Sequence, residues 1–292
     1  ELGVGGLEEL PLSDEQLRPM IASRHPKRIF ALYTSLKRHG AEALPELSVT
    51  SGYDPWVLHN FLEQIDLERR IEAAGLAGLN AGLLMEAKRT GLGDKRIAKL
   101  SGSKPAEIEA LRDKFDIHAV YHFVDTCSGE FEARTPYFYS TYGEVNEAHP
   151  MESRGVIILA SGPNRIGQGL EFDTCCSSSS FAYRKLGVKS VLINSNPETV
   201  STDFNVSDRL YIEPLTVEDV KEVMRREGIK DVVVQLGGQT PLNMSDELEA
   251  FGAHVVGTSV ASIREAEDRK LFSKLMDELR LNQPPNRTIT RL

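Results

Sequence analysis

The residues that could do chemistry gather in three stretches of the second half of the chain. Glycines 162, 167 and 169 punctuate Gly162-Pro-Asn-Arg-Ile-Gly-Gln-Gly-Leu-Glu-Phe-Asp173. Asn196 and Glu198 stand in Asn194-Ser-Asn-Pro-Glu-Thr-Val-Ser-Thr-Asp203, and Gln239 in Gly237-Gly-Gln-Thr-Pro241. Arg165, Asn196, Glu198, Gln239 and the backbone amides around them are the polar groups such loops offer a small ligand. No His–Ser or Cys–His pair accompanies them, so nucleophilic catalysis is not indicated. The first loop fits neither common phosphate motif: Gly167 is followed by Gln168 where a P-loop has Lys, and Phe172 stands where a dinucleotide fingerprint has a third small residue. By spacing alone, its glycines fit a tight turn and close helix–sheet packing better than a phosphate cradle.

These loops need a sheet to hold them. Val156 to Ala160 is a short apolar run with β-branched members, the pattern of a strand buried on both faces. After the glycine loop, Phe172, Cys175, Cys176 and Ala182 mark a helix ending near Gly187, with both cysteines expected to pack on the sheet as small apolar groups. Strand, glycine loop and helix open a doubly wound α/β domain. Further strands are expected at 190–194, 210–212, 231–235 and 254–256, with a helix capped by Thr216 and stopped by Gly228. Loops 161–169, 194–203 and 236–243 then share the carboxyl edge of one sheet, where open α/β sheets bind ligands. Asp268 to Leu281 reads as an amphipathic helix with Leu271, Phe272, Leu275, Met276 and Leu279 inward, the first helix of a further domain.

The first half is helical to about Cys127. Ser13 and Gln16 form a capping-box pair, Pro26 fits a first turn, and Asp54-Pro55 is cap plus first-turn proline. Leu58, Phe61, Leu62, Ile65 and Ile71 make an apolar stripe ending at Gly75. Ile97 to Leu111 has the outline of a helix-turn-helix DNA reader, but Glu107, Glu109 and Asp113 on its second helix would repel a duplex, so two packed helices are expected. His118 to Cys127 turns extended, which spoils a metal pair from His118 and His122. Tyr137, Phe138, Tyr139 and Tyr142 are expected to glue two domains together.

The whole chain has 292 residues, 40% hydrophobic and 26% charged, enough for two globular domains. A net charge of −9 argues against nucleic acid, and no apolar run spans a membrane. Three cysteines make no disulfide framework, which fits a reducing cytoplasm. The chain opens on Glu1 without an initiator Met and reads as a piece of something longer.

The strings Gly162 to Asp173, Asn196 to Asp203, Gly237 to Pro241 and Ala266-Glu-Asp-Arg269 closely resemble the large subunit of carbamoyl phosphate synthetase. Gly78-Leu-Asn80, Arg96 to Leu100, Val124 to Cys127 and Tyr139 to Tyr142 are similar to its oligomerization domain. The resemblance implies residues 1–12 as the tail of an ATP-grasp domain and 13–150 as the helical oligomerization domain. It implies 151–264 as the Rossmann-like pre-ATP-grasp domain of the second, carbamoyl-phosphate-forming half, and 265–292 as the start of another ATP-grasp domain. The family makes carbamoyl phosphate from bicarbonate, ammonia released from glutamine, and two ATP, for arginine and pyrimidine synthesis. ATP, magnesium and potassium are expected for the full enzyme, and the glutaminase small subunit and the rest of the large subunit as partners. Within this chain the resemblance implies self-association but no catalytic residue, metal site or bound cofactor. Arg165, Gly167, Gln168, Gly169, Glu171, Asn196, Glu198, Thr199, Gly237, Gly238 and Gln239 would form one wall of the carbamate-phosphorylating site and carbamate tunnel, with Glu171 and Glu198 facing a shared interior channel. Two other readings rest on the pattern alone: a stand-alone assembly module, and a nucleotide- or NAD-binding Rossmann domain, against which Asn194 stands where a ribose-binding acid belongs.

Overall fold

The computed structural model of the chain describes residues 6–133, 135–162 and 168–285. The chain divides into two compact units, Glu1–His118 and Ala119–Leu292.

The first unit is a stack of short helices: α1 (Asp14–Ala22), α2 (Arg28–His39), α3 (Leu44–Ser51), α4 (Pro55–Gly78), α5 (Ala81–Arg89), α6 (Asp94–Ser101) and α7 (Pro105–Phe115). Local chemistry sets their ends. Gln16 Oε1 accepts from the Ser13 N–H at 3.0 Å, and Asp54 and Asn80 side chains accept from the first-turn amides of α4 and α5. Leu17 and Ile21, Leu32 and Leu36, Leu47, and Leu58 and Ile65 meet in one core. The apolar stripe of α4 also carries a buried acid: Glu68 accepts from Tyr33 Oη at 2.5 Å and from two nitrogens of Arg96 at 2.6 and 3.1 Å. The helix-turn-helix outline resolves into packing, because Arg112 of α7 is 1% exposed and donates to Asp94 of α6 at 3.0 Å. It is not presented to a duplex.

The second unit is built on a seven-stranded sheet with the order β1-β2-β5-β4-β3-β6-β7. Its strands are β1 (Val120–Phe123), β2 (Tyr137–Thr141), β3 (Gly155–Leu159), β4 (Lys189–Asn194), β5 (Arg209–Ile212), β6 (Asp231–Val233) and β7 (His254–Val255). All adjacent pairs are parallel except β1 with β2. The helices are α8 (Gln168–Lys185), α9 (Val217–Glu227), α10 (Gln239–Phe251), α11 (Val260–Glu267) and α12 (Arg269–Glu278). Every residue of β3 is buried, as its apolar run required. Ile157, Leu159, Val191 and Ile193 pack under α9 and α10 on one face; Val156, Ile158, Leu192 and Val233 pack with Cys176 and Tyr183 of α8 on the other. The sheet with helices on both faces is the doubly wound α/β architecture expected.

Several local expectations change. The extended stretch after His118 and the aromatic run at 137–142 were expected with the helical part, yet they form β1 and β2 and extend the sheet. The aromatics pack inside this unit: Phe138 stacks on Tyr211 at 5.5 Å, and Tyr121 meets the same ring edge-on at 4.8 Å. Gln239 to Pro241 open α10 rather than a loop, since proline is tolerated in a first turn. No residue of α12 is buried; Leu271 and Phe272, expected inward, are each 42% exposed. No described helix is long and apolar enough to cross a membrane.

Candidate functional site

The first turn of α8, the segment after β4 and the segment after β6 meet at the carboxyl edge of the sheet. Two glycines let the last of these approach. A Cβ on Gly237 would stand 2.4 Å from the Ala160 carbonyl oxygen, and Gly238, at φ 73°, lies against the Phe172 ring, 3.1 Å from where a Cβ would be.

The tie between α8 and the β4 segment is polar. Asp173 of α8 is fully buried, and its carboxyl oxygens accept from Thr199 Oγ1 at 2.6 Å, Ser201 Oγ at 3.2 Å and Asn194 Nδ2 at 3.3 Å. Asn194 Nδ2 also donates to Ser201 Oγ at 3.1 Å. Asn194 Oδ1 accepts from the Asn196 N–H, and Asn196 Oδ1 from the Glu198 N–H, each at 3.1 Å. Thr202 Oγ1 closes the short 3-10 turn Val200–Thr202 by donating to the Pro197 and Thr199 carbonyls. Asn194 is therefore committed inside the protein and does not face a ribose.

The site residues expected from sequence fall into distinct places. Arg165 and Gly167 lie outside the described residues, as does the side chain of Gln168. Gly169 is in the first turn of α8, Asn196 and Thr199 are half-buried, and Gly237 is buried. Gln239 turns to its own neighbours, donating to Asn243 Oδ1 at 3.0 Å and Glu267 Oε2 at 3.2 Å, and so links α10 to α11. Glu171 and Glu198 are both exposed. Asp173 and Ser201 were not singled out from sequence. The available signal was an acid among the buried positions of α8.

The adjacent cysteines separate. Cys176 is buried against the sheet, and burial pushes its thiol up to about 12. Cys175, a hundred degrees round the helix, is exposed rather than packed on the sheet, and it lines a groove of about 460 Å³ with Thr174, Ser178, Gln235 and Val256. That groove lies apart from Glu171 and Glu198. Among the described residues no three His, Cys, Asp or Glu side chains converge to hold a metal ion.

A helical unit followed in sequence by a Rossmann-like α/β unit, with the first turn of α8 and the segments after β4 and β6 at one sheet edge, is the class that fold and site define. Residues 1–116 match the family model described as the carbamoyl-phosphate synthetase large chain, oligomerisation domain, and residues 152–265 that described as the carbamoyl phosphate synthase preATP-grasp domain. The chain belongs to the carbamoyl phosphate synthase large-chain family. It is 43% identical to the large chain of Vibrio vulnificus over 297 residues, covering 100% of this chain and 27% of that one. It is 44% identical to those of Haemophilus ducreyi, over 288 residues, and Xylella fastidiosa, over 294, in each case covering 99% of this chain and 27% of the relative. The chain thus spans about a quarter of the length of these curated relatives, 27%.

Proposed function

We propose that the α/β unit supplies one wall of the site where carbamate is phosphorylated and part of the route by which carbamate reaches it, and that the helical unit supplies self-association. The parent enzyme would make carbamoyl phosphate in the cytoplasm from bicarbonate, glutamine-derived ammonia and two ATP, feeding arginine and pyrimidine synthesis. A small glutaminase subunit and the remainder of the large chain would be its partners. ATP, with magnesium and potassium, would act on parts outside this chain.

The observation that carries this reading is the Asp173 tie, which joins the helix turn bearing Glu171 to the loop bearing Glu198 at the sheet edge where α/β folds handle ligands. Carbamate is an anion that decomposes in water, so its route must shield it without trapping it. Carboxylates along the path disfavour a resting anion, and nearby amides offer passing hydrogen bonds. Both glutamates are exposed here, so enclosure would come from the rest of the large chain.

The test uses the intact synthetase. Glu171→Ala and Glu198→Ala should lower carbamoyl phosphate output from bicarbonate, while ATP formation from supplied carbamoyl phosphate and ADP changes much less. Equal loss in both assays would sink the route assignment.

A further inference from the structure

Among the described residues, the Glu198 side chain makes no hydrogen bond, yet the backbone on both sides of it is held. Ahead of it runs the relay from Asn194 Oδ1 to the Asn196 N–H and from Asn196 Oδ1 to the Glu198 N–H. Behind it, Thr199 Oγ1 donates to Asp173, and the Thr199 N–H donates to Thr202 Oγ1 at 3.3 Å. Both holds end on Asp173, because the Asn194 amide that orients the relay is itself donated to Asp173 Oδ1. Asp173 lies two residues beyond Glu171 in α8, whose side chain is likewise exposed and without a hydrogen bond among the described residues.

A fully buried carboxyl group is an expensive way to fasten a loop, since its desolvation must be offset by well-placed donors. An apolar peg would hold the loop down but would leave its register loose. Three directional bonds to residues 194, 199 and 201 fix both flanks of residue 198 relative to one turn of α8.

We propose that Asp173 is a positioning residue that sets the spacing of Glu171 and Glu198 across the carbamate route, without touching carbamate itself. This rests on the route assigned above to those two glutamates. With the spacing lost, carbamate escapes before phosphorylation and reacts with water to give bicarbonate and ammonia, so the ATP used to form it is wasted. The signature of misplacement is uncoupling, not a general fall in activity.

Two measurements test this. In the 292-residue chain, hydrogen exchange at the amides of Asn196, Glu198 and Thr199 should quicken about tenfold in Asp173→Ala and somewhat less in Thr199→Val, while β3 and β4 amides keep their protection. In the intact synthetase, both variants should raise ADP released per carbamoyl phosphate formed from bicarbonate, several-fold in Asp173→Ala. Asp173→Asn, which keeps an acceptor oxygen, should recover part of the coupling, and in the two Asp173 variants ATP formation from carbamoyl phosphate and ADP should stay within about twofold. Thr199→Val removes one bond only and carries the test if Asp173→Ala fails to fold. Unchanged exchange in both variants would overturn the inference. So would faster exchange with the two activities falling in parallel, provided Glu171→Ala and Glu198→Ala still uncouple. If the glutamate variants also lose both activities in parallel, the route reading is what fails.

Discussion

Glu213 should make the stability of the α/β unit depend on pH near neutrality. It stands just past β5, 3% exposed, and its carboxyl group accepts from the backbone N–H and the hydroxyl of Ser140 in β2. Burial, helped by the nearby Asp219 and resisted by the Ser140 bonds, raises its pKa from 4.5 to about 7. An acid raised in this way favours the fold only while protonated. Its contribution is fully present below about 4.5 and is lost as pH climbs through about 7. At about 1.4 kcal/mol per pH unit, that interval corresponds to a loss of about 3 kcal/mol. Glu213→Gln keeps an acceptor for the Ser140 N–H and offers a donor to its hydroxyl, but carries no proton to lose. Urea unfolding of this unit, followed by near-ultraviolet dichroism of the Tyr121–Tyr211–Phe138 cluster, should show the parent losing stability between pH 5 and 8 and the variant holding level. The two should be similar near pH 4.5 and differ by up to about 3 kcal/mol at pH 8. Trp56, the single tryptophan, lies in the helical unit and serves as an internal control whose transition should not respond to the substitution. Equal pH slopes for parent and variant would refute the argument from burial.

Three more outcomes are expected. Gly237→Ala should destabilise the α/β unit by about 2–3 kcal/mol in the same unfolding assay, because its methyl group would meet the Ala160 carbonyl oxygen. Glu68→Ala should cost the helical unit about 3–5 kcal/mol by leaving Arg96 buried without its carboxylate, and Glu68→Leu with Arg96→Met should recover most of that, read by Trp56 fluorescence. N-ethylmaleimide should label Cys175 in the native chain and Cys176 only after denaturation, as mapped by peptide mass, because Cys176 is buried and its thiol is held protonated.

What the sequence revealed follows from how far apart the interacting residues lie. The apolar run Val156 to Ala160 could be read as a buried strand, observed as Gly155–Leu159, because the signal is contiguous, and the Thr216 cap because its bond spans three residues. β1 and β2 could not be assigned to the sheet in the same way. β2 pairs Tyr137 with Leu210 and Phe138 with Tyr211, a partnership that no local pattern announces. Asp173 was hidden for the same reason, since its three partners lie 21, 26 and 28 residues further on. The start of α10 was masked by Gly237, Gly238 and Pro241, which look like loop punctuation although a proline in a first turn does not break a helix. The adjacent cysteines called for a phase, not a count: one of two successive helix residues faces the sheet and the other does not. Glu171 and Glu198 were legible as motif positions. Their exposure was not, because it depends on what else packs over that edge.

The pairing of β2 with β5 bears on how this protein can be dissected. β5 and β7 are the two outer strands of the five that follow residue 150, so a piece beginning there would newly present the free N–H and C=O row of β5 to other molecules. Such a bare parallel border invites intermolecular strand addition. The antiparallel β1–β2 pair covers it, and Glu213 bolts β2 in place through Ser140. A recombinant α/β piece cut at residue 119 should therefore stay dispersed where one cut at residue 151 gels or precipitates, even though both retain every loop of the candidate site.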